Sequence, residues 1–136
     1  SIVMPGVIEA NELRQTLEAH KIDIVALAGY LKFVHVPQGY EGRIVNIHPA
    51  LLPKYGGKGM YGHRVHEAVV SAKERMSGCT VHLVDGEYDH GTILLQRTCA
   101  VRTDDTAESL AARVFEQETL AYPQALRLLL ASLGTR

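Results

Sequence analysis

DIVALAGYL, residues 23–31, is the stretch on which the fold turns. Its run from Ile24 to Ala28 is apolar without interruption, is β-branched at two positions and is closed by Gly29. A run of that kind reads as a strand buried on both faces, as in a parallel sheet. Just upstream, EANELRQTLEAH (9–20) sets Leu13 and Leu17 one turn apart among polar residues, the pattern of a surface helix. Downstream, RIVNI (43–47) reads as a second strand, which should stop at Pro49 because proline has no N–H for a sheet ladder. Residues 50–62 form a loop rich in Gly and Pro, and Val65, Ala68, Val69 and Ala72 then recur at helical spacing over 63–75. GCTVHLV (78–84) and TILLQRTCAV (92–101) are a third and a fourth strand, paired as an antiparallel hairpin around DGEYDHG (85–91). Asp105 and Glu108 have the spacing of a capping box, with Asp105 at the N-cap. A helix should run from there to Tyr122, break or kink at Pro123, and resume as the short apolar helix QALRLLLAS. Strands alternating with helices predict an α/β domain: a mostly parallel twisted sheet with flanking helices and a C-terminal antiparallel hairpin.

Composition narrows the possible functions. The chain has 136 residues, 46% hydrophobic and 21% charged, which suits one domain over residues 1–136 with a real core and argues against disorder. The formal net charge is -1 and Lys and Arg form no cluster, so nucleic acid is not an expected partner. No apolar stretch is long enough to cross a bilayer, and the residues after Ser1 are not a signal peptide. Cys79 and Cys99 have no CxxC spacing and are too few for a disulfide framework, so reduced thiols and a cytoplasmic location are expected.

Two clusters have the residue types for catalysis. Asn46 and His48 are two apart at the end of a strand, where extended chain points both to one side and where open α/β sheets bind ligands. An amide can hydrogen-bond a developing oxyanion, and an imidazole exchanges protons near neutral pH. In DGEYDHG, Asp85, Glu87 and Asp89 alternate, and a carboxylate there could orient His48 and stabilise its protonated form. From composition and spacing alone the bland readings come first: a solvated turn for the loop, and a backbone-capped one for Asn46 and His48. His63 and His66, with Glu67, do not make HExxH and have no third ligand at a convincing spacing, so no metal is expected. GGKGMYG (56–62) lacks the order of a P-loop and reads as a flexible loop over a pocket.

NIHPALLPKYGG (46–57) resembles the signature of the folate-dependent formyltransferases. AGYLKFV, GRIVNIHPALLPKYGG, HEAV, GCTVHLVDGEYDHGTILLQ and DDTAESLAARVFEQETLAYPQAL resemble that family in the same order, over roughly residues 22–130. The resemblance implies a Rossmann-like formyltransferase fold and transfer of a formyl group from 10-formyltetrahydrofolate to the amine of glycinamide ribonucleotide, a step of purine biosynthesis. It implies that Asn46 bonds the formyl oxygen, that His48 assists proton transfer, and that Asp89 holds His48 and a water. It also implies that Leu31, Lys32 and Val34 flank the folate, that Val84, Asp85, Gly86 and Glu87 line its pterin pocket, and that Glu118 contacts the ribose hydroxyls.

One departure carries a further expectation. The family opens with a strand and a glycine-rich turn that bind the substrate phosphate, and nothing before residue 22 supplies them. The domain is therefore expected to be truncated at its N-terminus, with an open sheet edge covered by the missing segment, a second copy or a partner chain. A deformylase of the same superfamily, hydrolysing the same donor, and a non-catalytic folate-binding fragment are the rival readings. A formyltransferase acting on tRNA would need a basic extension, and none is present.

Overall fold

A computed structural model describes residues 9–29 and 33–133. The order of elements is α1 (Ala10–Ala19), β1 (Val25–Ala26), β2 (Ile44–His48), α2 (His63–Ser71), β3 (Met76–Leu83), β4 (Ile93–Ala100) and α3 (Ala107–Ser132). The four strands form one open sheet in the order β1-β2-β3-β4, with helices packed beside it. The α/β class, the flanking helices and the closing hairpin are as expected. The strand directions differ from a mostly parallel sheet: β1 and β2 are parallel, and β2–β3 and β3–β4 are antiparallel. Residues 49–75 carry the chain back along β2 without completing a crossover, so β3 enters the sheet in the opposite sense.

The first strand is shorter and less covered than its apolar run predicts. Only Val25 and Ala26 have strand geometry, and Ala26 and Ala28 are exposed. Its ladder bonds run to β2 alone, Val25 N–H to the Arg43 carbonyl and Leu27 N–H to the Val45 carbonyl. As an edge strand among the described residues, β1 is enclosed on one side, not two. Leu13 and Leu17 of α1 pack there with Tyr40 in a small core of their own, which Val25 and Val34 join.

The main core lies between the sheet and α3. Val45, Cys79 and Val81 face Leu110, Val114, Ala121, Ala125 and Leu129. Burying each Val or Leu side chain contributes about 1.5–3 kcal/mol. That stripe explains why α3 runs unbroken over 26 residues despite Pro123, where a break or kink was expected. Ala121 and Ala125 continue the apolar spacing across the proline, whose ring is exposed. Beside it, the Tyr122 hydroxyl donates to the Leu27 carbonyl at 2.6 Å, with that of Val45 at 3.0 Å. Tertiary packing thus outweighs the local penalty of the missing N–H. The cap also moves by one residue. Thr106 is the N-cap and forms the capping box with Ser109, while Asp105 is occupied by Arg113 at 2.6 and 3.0 Å.

Residues opposite each other in an antiparallel pair share a face of the sheet. Asn46 lies opposite His82, and His48 opposite Thr80. One face of β2 and β3 is therefore polar, while Val45, Cys79 and Val81 on the other meet α3.

Candidate active site

The polar face opens into a cavity of about 770 Å³ at the C-terminal ends of β1 and β2, where open α/β sheets carry their ligands. Asn46, His48 and Asp89 all line it. β2 supplies the first two from alternate positions of one extended segment, and the turn between β3 and β4 supplies the third. Gly91 makes that turn possible. A Cβ at this position would stand 1.8 Å from the Leu83 carbonyl oxygen, so only glycine lets the turn lie close enough to the sheet to bring Asp89 in. Asp89 itself adopts a left-handed φ of 49°, which Asp tolerates better than most residues.

His48 is buried, and its two ring nitrogens meet different partners. Its Nε2 is 2.6 Å from the Tyr55 carbonyl oxygen, and because a carbonyl only accepts, Nε2 carries the hydrogen. Its Nδ1 faces Asp89 Oδ1 at 3.5 Å. Burial lowers the pKa of the ring below the ordinary imidazole value, and the opposing pull of the Asp89 carboxylate and the Tyr55 carbonyl does not overcome it. Burial acts to raise the Asp89 carboxyl, but the His82 and His48 rings and the Gly57 N–H, which donates to Oδ2 at 3.0 Å, outweigh it and hold the carboxyl below its usual range. The resting site therefore pairs a neutral imidazole with a carboxylate.

The loop 50–62 walls the cavity. It is pinned to the sheet by Thr80, whose hydroxyl donates to the Ala50 carbonyl at 2.7 Å and accepts from the Leu52 N–H at 3.0 Å. Gln96 adds bonds to Thr80 Oγ1 and to the Leu52 carbonyl, both at 3.0 Å. Gly57 through Gly62 line the cavity as the Gly-rich run suggests, and Lys58 and Arg64 give that wall a positive character.

The other expected contacts divide. Val34, Val84, Glu87 and Glu118 line the cavity, and burial raises the Glu118 carboxyl above its ordinary value. Asp85 and Gly86 do not line it. The Asp85 carboxylate is spent within its own turn, on the Glu87 N–H at 2.8 Å and the His90 ring at 2.8 Å, and Gly86 is exposed. Leu31 and Lys32 lie outside the described residues. Among the described residues no group of three or more His, Cys, Asp or Glu is arranged to hold a metal ion.

Three features of the cavity were not predicted. His82 is buried on β3, lines the cavity and points Nε2 at Asp89 Oδ1 across 3.7 Å. His66 on α2 is buried with Nδ1 unbonded, and its pKa is lowered to about 4 by burial first and then by the neighbouring His63 and His48 rings. Phe33 and Tyr88 meet edge to face with centroids 5.1 Å apart, joining the two segments expected to flank the folate. The sequence signal for His82 was a histidine inside an otherwise apolar strand, but only the register shows that it faces Asn46.

An open α/β sheet with a polar cleft beyond the ends of its parallel strands defines a Rossmann-like domain built to bind small molecules there. The chain belongs to the formyl transferase family, whose sequence pattern matches residues 6–126. It is 48% identical over 120 residues to the chloroplastic phosphoribosylglycinamide formyltransferase of Vigna unguiculata, covering 87% of this chain and 38% of that protein. With the corresponding protein of Arabidopsis thaliana it shares 49% identity over 114 residues, covering 82% of this chain and 39% of the relative. The crystal structure of phosphoribosylglycinamide formyltransferase from Bacillus halodurans superposes with a TM-score of 0.78 at 38% identity, over 88% of this chain and 60% of that one. The chain thus spans about two fifths of the length of the two plant relatives.

Proposed function

We propose that this chain is the folate-facing, catalytic part of a phosphoribosylglycinamide formyltransferase. In this reading it moves the formyl group of 10-formyltetrahydrofolate onto the amine of glycinamide ribonucleotide, within one formyltransferase-type domain. The observation that carries the reading is the convergence of Asn46, His48 and Asp89 on one cavity, with His48 Nδ1 and Asp89 Oδ1 3.5 Å apart. The positive wall at Lys58 and Arg64 suits anionic ligands such as a folate tail or a nucleotide.

The amine attacks the formyl carbon, and the carbonyl electron pair moves onto oxygen. Asn46 donates to that oxyanion from the floor of the cleft, an interaction of the kind worth about 2.7–4 kcal/mol in the transition state. His48 starts neutral, so it serves first as a proton acceptor, and Asp89 stabilises the imidazolium that forms. A proton then reaches the folate nitrogen as the carbon–nitrogen bond breaks. Val34, Val84 and Glu87 would flank the folate, and Glu118 the ribose.

A cytoplasmic setting fits the unpaired Cys79 and Cys99, although the names of the plant relatives place those proteins in chloroplasts. No helix of the described residues is long and apolar enough to cross a membrane. The open side of β1 is where we would seat a further segment, a second copy or a partner chain.

The test is an absorbance assay for the folate product, run on the intact protein with and without glycinamide ribonucleotide. Product only with the nucleotide is the expected result. Product without it would make the protein a deformylase, and folate binding without turnover would make it a binding domain; either would overturn the reading.

A further inference from the structure

His90 stands at the far end of the acidic turn and has no part in the mechanism above. Asp85 and His90 lie outside the cavity, while Glu87, Tyr88 and Asp89 between them line it. Among the described residues, no main-chain hydrogen bond joins two positions of 85–91, so side chains hold this arc. Asp89 spends its carboxylate outside the turn, on the Gly57 N–H and towards the His48 and His82 rings. Asp85 and His90 tie the turn to itself. Asp85 Oδ1 accepts the Glu87 N–H at 2.8 Å, and Oδ2 accepts from His90 Nδ1 at 2.8 Å. The same Nδ1 lies 3.1 Å from Glu87 Oε2.

Carboxylates only accept, so Nδ1 carries a hydrogen, and two carboxylates share it. A neutral ring leaves the repulsion between Asp85 and Glu87 uncompensated. An imidazolium sets a positive charge between them. The Asp85 bond, then the charges of Glu87 and Asp85, raise the ring's pKa above the ordinary imidazole value of 6.5. Asp85 is held below its usual range, first by that bond and then by the Glu87 N–H. Among the described residues, Asp85 and Glu87 are the charged groups that bear on the ring, and from the sheet His82 bears on Asp85.

We propose that His90 is a positioning residue for the formyl donor: its charged ring clasps Asp85 and Glu87 together and so holds residues 87–89 in the shape that receives the folate. The proposal rests on the formyl-transfer reading. A ring whose pKa is higher in the clasped turn than in the open one favours the clasp while it holds its proton. The clasp is therefore complete below the ordinary imidazole value and is lost as pH rises through the raised one. Losing the charge also frees the Glu87 carboxylate, on the cavity wall, to confront an anionic donor. Asp89 keeps its separate hold on the Gly57 N–H, so the effect falls on donor binding and not on the chemical step.

Steady-state kinetics of the intact protein and two variants test this. Between about pH 6 and pH 9 the parent's KM for 10-formyltetrahydrofolate is expected to rise roughly twofold to fivefold, the scale of an exposed ion pair. His90→Ala should show the higher KM throughout, and His90→Arg, permanently charged, the lower one throughout. The parent-to-variant ratio of kcat should not follow pH. A saturating non-reactive folate analogue should raise the His90 pKa, followed by proton NMR of the ring, by the matching about 0.3–0.7 pH units, because the coupling is reciprocal. The proposal is overturned if the Ala variant keeps its parent's KM profile, if Arg fails to restore the low KM at high pH, or if the analogue leaves the His90 pKa where it was. Any of these in an enzyme that transfers formyl would sink the clasp alone, whereas a parent protein that transfers no formyl group would sink the formyl-transfer reading and the clasp with it.

Discussion

Asp89 combines a left-handed backbone with a largely buried carboxylate. Asparagine adopts the same backbone readily and preserves an oxygen for the Gly57 N–H. Asp89→Asn is therefore expected to fold like its parent, to melt within a few degrees of it, and to lose about 10²–10⁴ in kcat, the usual share of a proton-transfer partner. Turnover near the parent value in steady-state kinetics would remove Asp89 from the mechanism. His66 makes a second prediction, about stability. Its folded pKa of about 4 lies below the ordinary imidazole value of 6.5. The unfolded ring takes up a proton as pH falls through the ordinary value, and the folded ring does not until pH reaches about 4. Between those limits the unfolded state binds more protons, so stability falls with falling pH and is recovered above the upper limit. The full effect is about 3 kcal/mol or less. Urea titrations at pH 7.5 and 4.5 should show a smaller drop for His66→Leu than for the parent. Asn46, His48 and Asp89 were legible as candidates because amide, imidazole and carboxylate stand at a strand end and in an acidic turn. His66 and His82 were not, because a histidine in an apolar segment looks the same whether it packs or reacts until its neighbours across the sheet are known.

Thr80 shows how a residue can govern a site it does not line. One hydroxyl of β3 satisfies both a carbonyl and an N–H at the start of the loop that walls the cleft. Thr80→Val keeps the shape but leaves the Ala50 carbonyl and the Leu52 N–H without that partner, at a cost of about 2–4 kcal/mol for the two groups together. Denaturant unfolding should register that loss, and KM should rise as the wall loosens; an unchanged midpoint would show that the loop finds other partners. Periodicity made most elements readable, since α1, α2 and the hairpin strands follow simple spacings of apolar residues. The sequence misled where a distant contact overrides a local rule. Pro123 reads as a stop, but the stripe formed by Leu110, Val114, Ala121, Ala125 and Leu129 keeps α3 on the sheet. Asp105 reads as an N-cap, but Arg113 claims its carboxylate and Thr106 takes the cap. The run in β1 reads as a central strand, but an apolar run does not say how many neighbours a strand has.

At the scale of the molecule, the cleft lies where the sheet, the turn bearing Asp89, α3 and the loop 50–62 meet, so ligand binding should stabilise all of them at once. A non-reactive folate analogue at 100 times its Kd is expected to stabilise the fold by about 2.7 kcal/mol. That corresponds to a rise of several degrees in Tm for a chain of this size. A thermal scan that stays flat up to millimolar analogue would count against the folate side of the function. The contacts of the loop 50–62 have a separate consequence. His48 is held by the main-chain carbonyl of Tyr55, and Asp89 by the main-chain amide of Gly57. The positive φ of both residues, 58° and 94°, aims those groups inward. What the chemistry demands of this stretch is a backbone path, not a set of side chains. Outside the glycines, residue identities here can drift during evolution while the two dipoles stay aimed, whereas a single insertion or deletion would release the imidazole and the carboxylate together.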